Sequence, residues 1–123
     1  MDKGWSIHMT EPVKDWLYQT QKKSRMVDAK DRETFLFVFK VFEEGGPNNA
    51  RGKLPRDRTK RLFDGIWEIR VAQYRIAYFW DGSRCVLLHG IRKKRDKWTS
   101  QEKEVVKKRK STYLELSKIS YNT

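Results

Sequence analysis

The chain has 123 residues, enough for one domain with a modest core, and five Trp, five Tyr and six Phe to fill it despite a mean hydropathy of −0.89. Its 28 Lys/Arg against 16 Asp/Glu give a net charge of +12, so the natural partner is a polyanion, with nucleic acid first. The lone Cys85 excludes an internal disulfide, no apolar run reaches the roughly 18–20 residues of a membrane span, and the opening MDKGWSIHMTEP offers no apolar signal core, so a cytoplasmic protein is expected.

Trp5, Ile7 and Met9 alternate with polar residues and predict a short strand. Thr10-Glu11-Pro12 then opens a helix, with a capping residue and a proline in the first turn; Val13, Trp16 and Leu17 form its apolar stripe. Residues 28–44 include FLFVFKVF, aromatic enough for a strand. Asp28 or Asp31 as a cap, Phe35, Phe39 and Phe42 at helical spacing, and a stop at Gly45-Gly46-Pro47 favour a helix. Residues 45–61 are expected to be a loop with a short strand around Lys53-Leu54. The stretch RGKLPRDRTKR (51–61) holds six basic residues and one acidic one.

The block from Ile66 to Lys93 alternates in three runs, GIWEIRV, YRIAYFW and SRCVLLHGIRK. Asp81-Gly82 is a strong hairpin signal, which would set Trp80 opposite Ser83 and Tyr74 opposite His89. A symmetric turn at Ala72-Gln73 would set Arg70 opposite Arg75. One face then carries Trp67, Ile69, Val71, Tyr74, Ile76, Tyr78, Trp80, Cys85, Leu87, His89 and Ile91, and is the expected core. The other carries Glu68, Arg70, Arg75, Ala77, Phe79, Arg84, Val86, Leu88 and Arg92.

Residues 92–110 (RKKRDKWTSQEKEVVKKRK) hold ten basic residues against three acidic ones, so all of the chain's excess charge sits here and in 51–61. Thr99-Ser100-Gln101-Glu102 matches a capping box opening a last helix. Glu102, Val105/Val106, Arg109, Tyr113 and Leu116 would face inward, with fraying expected over 118–123. The expected fold is a single α+β domain over 1–123: an antiparallel twisted sheet with two N-terminal helices on one face and a basic C-terminal helix, the helices lying on one side.

The run from Leu62 to Glu115 resembles the RelE/HigB toxins of bacterial toxin–antitoxin systems, and within them the phage-derived HigB-like branch. The resemblance rests on Trp67, Glu68 and Arg70 (WExR), on Tyr74, Arg75, Tyr78 and Phe79 (YRxxYF), and on LLHGxRKK from Leu87 to Lys94. It implies a ribosome-dependent mRNA endoribonuclease (an mRNA interferase) that inhibits translation. Its partners would be mRNA on the ribosome, rRNA and a cognate antitoxin of helix-turn-helix type, with no membrane, no metal and no cofactor. The alternatives are a non-enzymatic ParE-like toxin acting on DNA gyrase and a degenerate RNA-binding module.

Cleavage of this kind uses the RNA's own 2′-OH against the adjacent phosphate, so the protein must orient the phosphate and stabilise charge on it. Arg70 and Arg75, facing each other, could bracket a phosphate; the plain alternative is an ion pair from one of them to Glu68 or Asp64. The resemblance places Arg75 at the scissile phosphate and implies a catalytic cation among Arg92, Lys93 and Lys94. Parity favours Arg92, and ungapped counting favours Lys93. Glu68 and His89 are possible bases, with His89 expected to be a packed core residue. Lys53, Arg56, Arg58, Lys60, Arg61, Lys94, Lys97, Lys107, Lys108, Arg109 and Lys110 form the expected phosphate-positioning patches, and Trp98, among charges, a base-stacking surface. The chain differs from RelE itself in having Glu68 where that toxin has a lysine and Trp98-Thr99 at its C-terminal tyrosine.

Overall fold

Tyr74 to Phe79 are buried without a break, the residues pointing to one face of their strand and those pointing to the other alike. A strand of that kind belongs in the middle of a sheet with cover on both sides. The computed structural model describes residues 4–18, 27–93 and 97–122. The elements are β1 (Ser6–Met9), α1 (Glu11–Tyr18), α2 (Ala29–Lys53), β2 (Thr59–Phe63), β3 (Ile66–Val71), β4 (Tyr74–Asp81), β5 (Arg84–Arg92) and α3 (Ser100–Asn122). The strands form one sheet in the order β1-β5-β4-β3-β2. β2 to β5 are antiparallel neighbours, while β1 lies parallel to β5, so the sheet is mixed and not purely antiparallel.

The first face carries Ile69, Val71, Tyr74, Ile76, Tyr78, Cys85 and Leu87, packed against Val13 and Leu17 of α1 and Phe35, Val38, Phe39, Val41 and Phe42 of α2. Full burial of such side chains contributes about 1.5–3 kcal/mol each. Cys85 lies in this core, and burial pushes its thiol well up. The second face, mixed in sequence with arginines among its residues, is not left uncovered. It is a second core, where Ile66, Ala77, Phe79, Val86, Leu88 and Ile91 pack against Trp98 and against Val106 and Tyr113 of α3. The expectation of helices on one side is therefore corrected: α1 and α2 contribute to one core and α3 to the other.

The helix read from residues 28–44 stops at the glycines as expected, and a second helical segment follows it directly within α2. At Gly46 the backbone turns through φ 66°, ψ −155°, and helix resumes at once with Pro47 in its first turn, where a missing N–H costs nothing. A Cβ at Gly46 would lie 2.6 Å from the Trp5 ring. The Asn49 amide donates to the Val41 carbonyl (2.9 Å), satisfying an orphaned end of the first segment. Lys53-Leu54, expected as a strand, is instead the helix end and its C-cap.

The strand missing from that expectation is β2, six residues later. It turns back into β3 through Asp64 (φ 48°) and Gly65 (φ 75°), both left-handed, as a two-residue hairpin turn requires. The Ala72-Gln73 turn has the predicted symmetry, with Arg70 opposite Arg75 and Ile69 opposite Ile76.

The β4–β5 hairpin differs from expectation in two ways. Its loop is Gly82-Ser83, so Asp81 pairs with Arg84 and Trp80 with Cys85. That shift of two positions preserves the faces. The second difference does not. Tyr78 pairs with Leu87, yet Ala77 pairs with His89, leaving Leu88 as the extra residue of a β-bulge. Beyond it the parity of β5 inverts. His89 and Ile91 move to the second face, opposite Ala77 and Arg75, while Gly90 and Arg92 move to the first, opposite Ile76 and Tyr74.

Gly90 thereby comes to lie under Trp16 of α1, whose ring occupies the place a Cβ would take. Gly90→Ala is expected to lower stability by about 1–3 kcal/mol through overpacking. Urea denaturation checks this, and an unchanged midpoint would show that α1 can lift off β5 at no cost.

Candidate nucleic-acid interface

Glu68 points to the second face and is 2% exposed, an expensive place for a carboxylate unless it is paired and hydrogen-bonded. It is both. Oε1 accepts the Trp98 indole N–H at 2.7 Å, and Oε2 lies 3.4 Å from Nε of Arg70. The ion pair weighed as the plain alternative for Arg70 therefore exists. The contact is at Nε, and the Arg70 side chain is 28% exposed. The Arg70 main chain is held from β2's side, its N–H donating to the Arg58 carbonyl and its carbonyl accepting from the Arg58 guanidinium, both at 2.7 Å.

Trp98 corrects an expectation. It is buried in the second core, 5% exposed, and not an open stacking platform. Its charged neighbours in sequence conceal a side chain that plugs the space before α3. Lys93 is also buried, with Nζ 5.9 Å from the centre of the Trp98 ring and 3.8 Å from Oε1 of Glu102. The same Glu102 oxygen accepts the Thr99 N–H (2.8 Å), and the Glu102 N–H donates to the Thr99 hydroxyl oxygen (3.1 Å). The expected capping box is thus present, and its carboxylate also serves Lys93.

His89 was placed by parity beside Tyr74 in the first core; the bulge puts it on the second face instead. Its Nδ1 lies 2.8 Å from a guanidinium nitrogen of Arg109, which also donates to the Leu88 carbonyl at 3.0 Å. A guanidinium only donates, so Nδ1 accepts and the neutral ring carries its hydrogen on Nε2. Burial and then Arg109 push the His89 pKa down to about 4, with Glu102 opposing. At neutral pH this ring is an uncharged donor.

Arg75 shares the second face with Arg70, but its guanidinium is buried and donates to the carbonyls of Ala72 (2.8 Å) and Tyr74 (2.9 Å). It braces a turn in which Ala72 has φ 54°. Arg92 is exposed and opposite Tyr74, on the other side of the sheet from Glu68. Of the two cations that counting left open, Lys93 is the one beside the Glu68–Trp98 pair.

Part of each basic segment reaches this face, while Arg61, opposite Trp67, falls on the other. Lys60, exposed, pairs with Glu68 across β2–β3. Lys103 and Lys107 of α3 lie over the ring of Phe63 in β2, at 5.8 and 5.6 Å. Lys110 lies over Phe79 at 4.9 Å and donates to the Asp64 carbonyl at 3.0 Å. Lys107 also pairs with Glu104 at 3.6 Å. Lys53, Arg56, Arg61 and Lys97 are exposed, and Arg58 is half-buried against Arg70. Lys108 is turned away, lining a groove of about 430 Å³ with His8, Thr10 and Pro12. Lys94 lies outside the described residues. Among the described residues no group of three or more His, Cys, Asp or Glu is placed to hold a metal ion, and no helix is long and apolar enough to cross a membrane.

The class of protein defined here is a small α+β domain with one strongly basic, internally cross-linked face. Residues 22–111 match the family model of phage-derived Gp49-like proteins, and the chain belongs to that family, a RelE/HigB-like toxin family. Among solved structures, a chain of the RelBE2 toxin–antitoxin complex of Mycobacterium tuberculosis is similar at 15% identity, covering 74% of this chain and 93% of that one with a TM-score of 0.48. No curated protein matches the sequence.

Because the unfolded chain protonates His89 near its ordinary 6.5 and the folded chain resists until about 4, the unfolded state binds more protons in that window. Stability should therefore fall as pH drops from 6.5 towards 4. His89→Gln should make that decline shallower in urea denaturation across pH 4–7; an unchanged slope would contradict the assigned environment.

Proposed function

We propose that this protein is the toxin of a toxin–antitoxin pair and cuts mRNA on the ribosome. The observation that carries the reading is the meeting on one face of Lys60 of β2 and Lys103 and Lys107 of α3 with the buried Glu68–Trp98 pair and the partly exposed Arg70. Family membership supplies the toxin assignment. The antitoxin partner, of helix-turn-helix type, and the cytoplasmic location are part of the same proposal.

In the proposed reaction the 2′-oxygen of one nucleotide bonds to the adjacent phosphorus as the P–O5′ bond breaks. The 2′-hydroxyl gives up its proton and the departing 5′-oxygen gains one, leaving a 2′,3′-cyclic phosphate and a 5′-hydroxyl. Negative charge on the non-bridging oxygens peaks between these events. Arg70 offers its terminal fork to them in the bidentate geometry that suits phosphate, and Lys93 adds a cation beside it. Arg75, committed to turn carbonyls, holds the strand pair that carries Arg70; Arg92, on the other side of the sheet, takes no part. Glu68 has both oxygens occupied and acts on Arg70 better than as a base. His89, neutral and with Nδ1 engaged, fits a donor to the RNA. The residues thus supply orientation and charge stabilisation, and Arg56, Arg58, Lys60, Lys97, Lys103 and Lys107 supply a salt-sensitive grip on the backbone.

Induced expression in bacteria with mapping of mRNA 5′ ends tests this. The wild-type chain should arrest growth and produce new ends inside translated codons. Arg70→Lys keeps a cation for Glu68 but loses the fork, and should stay folded while cutting roughly 100-fold less. Arrest without new ends would move the reading to a toxin that acts on another target such as gyrase; no arrest by folded protein would make it a degenerate member.

A further inference from the structure

We propose that Trp98 is a positioning residue for RNA cleavage, acting through Glu68 to aim the guanidinium of Arg70; this rests on the reading of Arg70 as the phosphate contact. A glutamate side chain turns freely about its torsions and could meet Arg70 in several ways. Here one oxygen is fixed by the indole N–H at 2.7 Å, which leaves the other to face Nε of Arg70 at 3.4 Å. The contact it makes is at Nε, at the stem of the guanidinium. An unfixed carboxylate could instead chelate the fork itself, occupying the donors that a phosphate needs.

Trp98 is suited to the task because it is itself immobile. It is 5% exposed, its ring lies 5.9 Å from the Lys93 ammonium and 6.2 Å from the His89 ring, and Thr99 of the capping box follows it directly. The docking of α3 is thereby connected to the direction of one arginine on β3. The burial of Glu68 adds to the argument, since a carboxylate in an apolar core is costly and an ion pair there is poor evidence of stabilisation alone.

Trp98→Phe removes the N–H and keeps an aromatic ring under Lys93. Cleavage of mRNA by purified protein on programmed ribosomes should fall roughly 10- to 100-fold in turnover, with little change in the concentration giving half-maximal rate. In the Arg70→Lys background Trp98→Phe should cost nothing further, because the residue it positions is already lost. Glu68→Gln should show the same pattern from the other end of the link, and serves as the test if Trp98→Phe does not fold. The Nε–H resonance of Arg70 should shift and broaden in both variants. Full activity in folded Trp98→Phe, or a loss that adds to that of Arg70→Lys, would overturn the proposal while leaving Arg70 in place. An Arg70→Lys protein that cuts normally would overturn Arg70's role and this proposal with it.

Discussion

One extra residue in β5 decides what each face of the sheet holds. With Leu88 bulged between the Tyr78–Leu87 and Ala77–His89 pairs, the last part of the strand is turned over. Gly90, without a side chain, then faces Trp16 of α1, where any larger residue would clash. His89, Ile91 and Lys93 face the side that α3 covers. A regular strand would present Lys93 and Gly90 to the opposite sides. The ammonium would then have to find a partner among α1 and α2, and α1 would meet a side chain instead of the flat backbone at Gly90. The bulge thus satisfies two packing demands with one irregularity, which is how bulges re-aim side chains near functional surfaces.

The second face is costly in a way the first is not. It buries Glu68 and Lys93 and half-buries His89 and Arg109 among Phe79, Val86, Leu88 and Ile91. An aliphatic core of the same volume would be as stable or more so. What the polar groups provide is direction: each is tied to a named atom on another element, Glu68 to Trp98, Lys93 to Glu102, His89 to Arg109. Under the proposed function, such fixed donors and cations would cost little reorganisation on meeting a phosphate. The lysines of α3 lying over Phe63 and Phe79 contribute both to docking the helix and to the positive field outside it.

Alternation made β3 and β4 and their register legible, because Ile69, Ile76 and Arg70, Arg75 follow period two across a symmetric turn. The capping box at Thr99 and Glu102 was legible for the same local reason. β2 was missed because it is an edge strand: Lys60 and Arg61 are exposed and break the alternation, as edge strands commonly do. The dipeptide Asp64-Gly65 carried the missing signal, the same one that marked Asp81-Gly82. The Leu88 bulge has no signature, since Leu87 to Gly90 fit either register and only the cover on each face chooses between them. Trp98 was misjudged because its neighbours in sequence are charged while its neighbours in space, Ile91, Val106 and Glu68, come from elsewhere. The polar residues that gather on the second face were therefore nameable in advance, while their sides and partners were not.

The central claim is that the α3 face of the sheet meets RNA and the α2 side does not. A photo-reactive amino acid placed at exposed Lys60 of β2, or at Phe37, 56% exposed on α2, tests it in a translating bacterial extract. The account predicts crosslinks from position 60 to messenger or ribosomal RNA and none from position 37. RNA crosslinks from position 37 alone would contradict it.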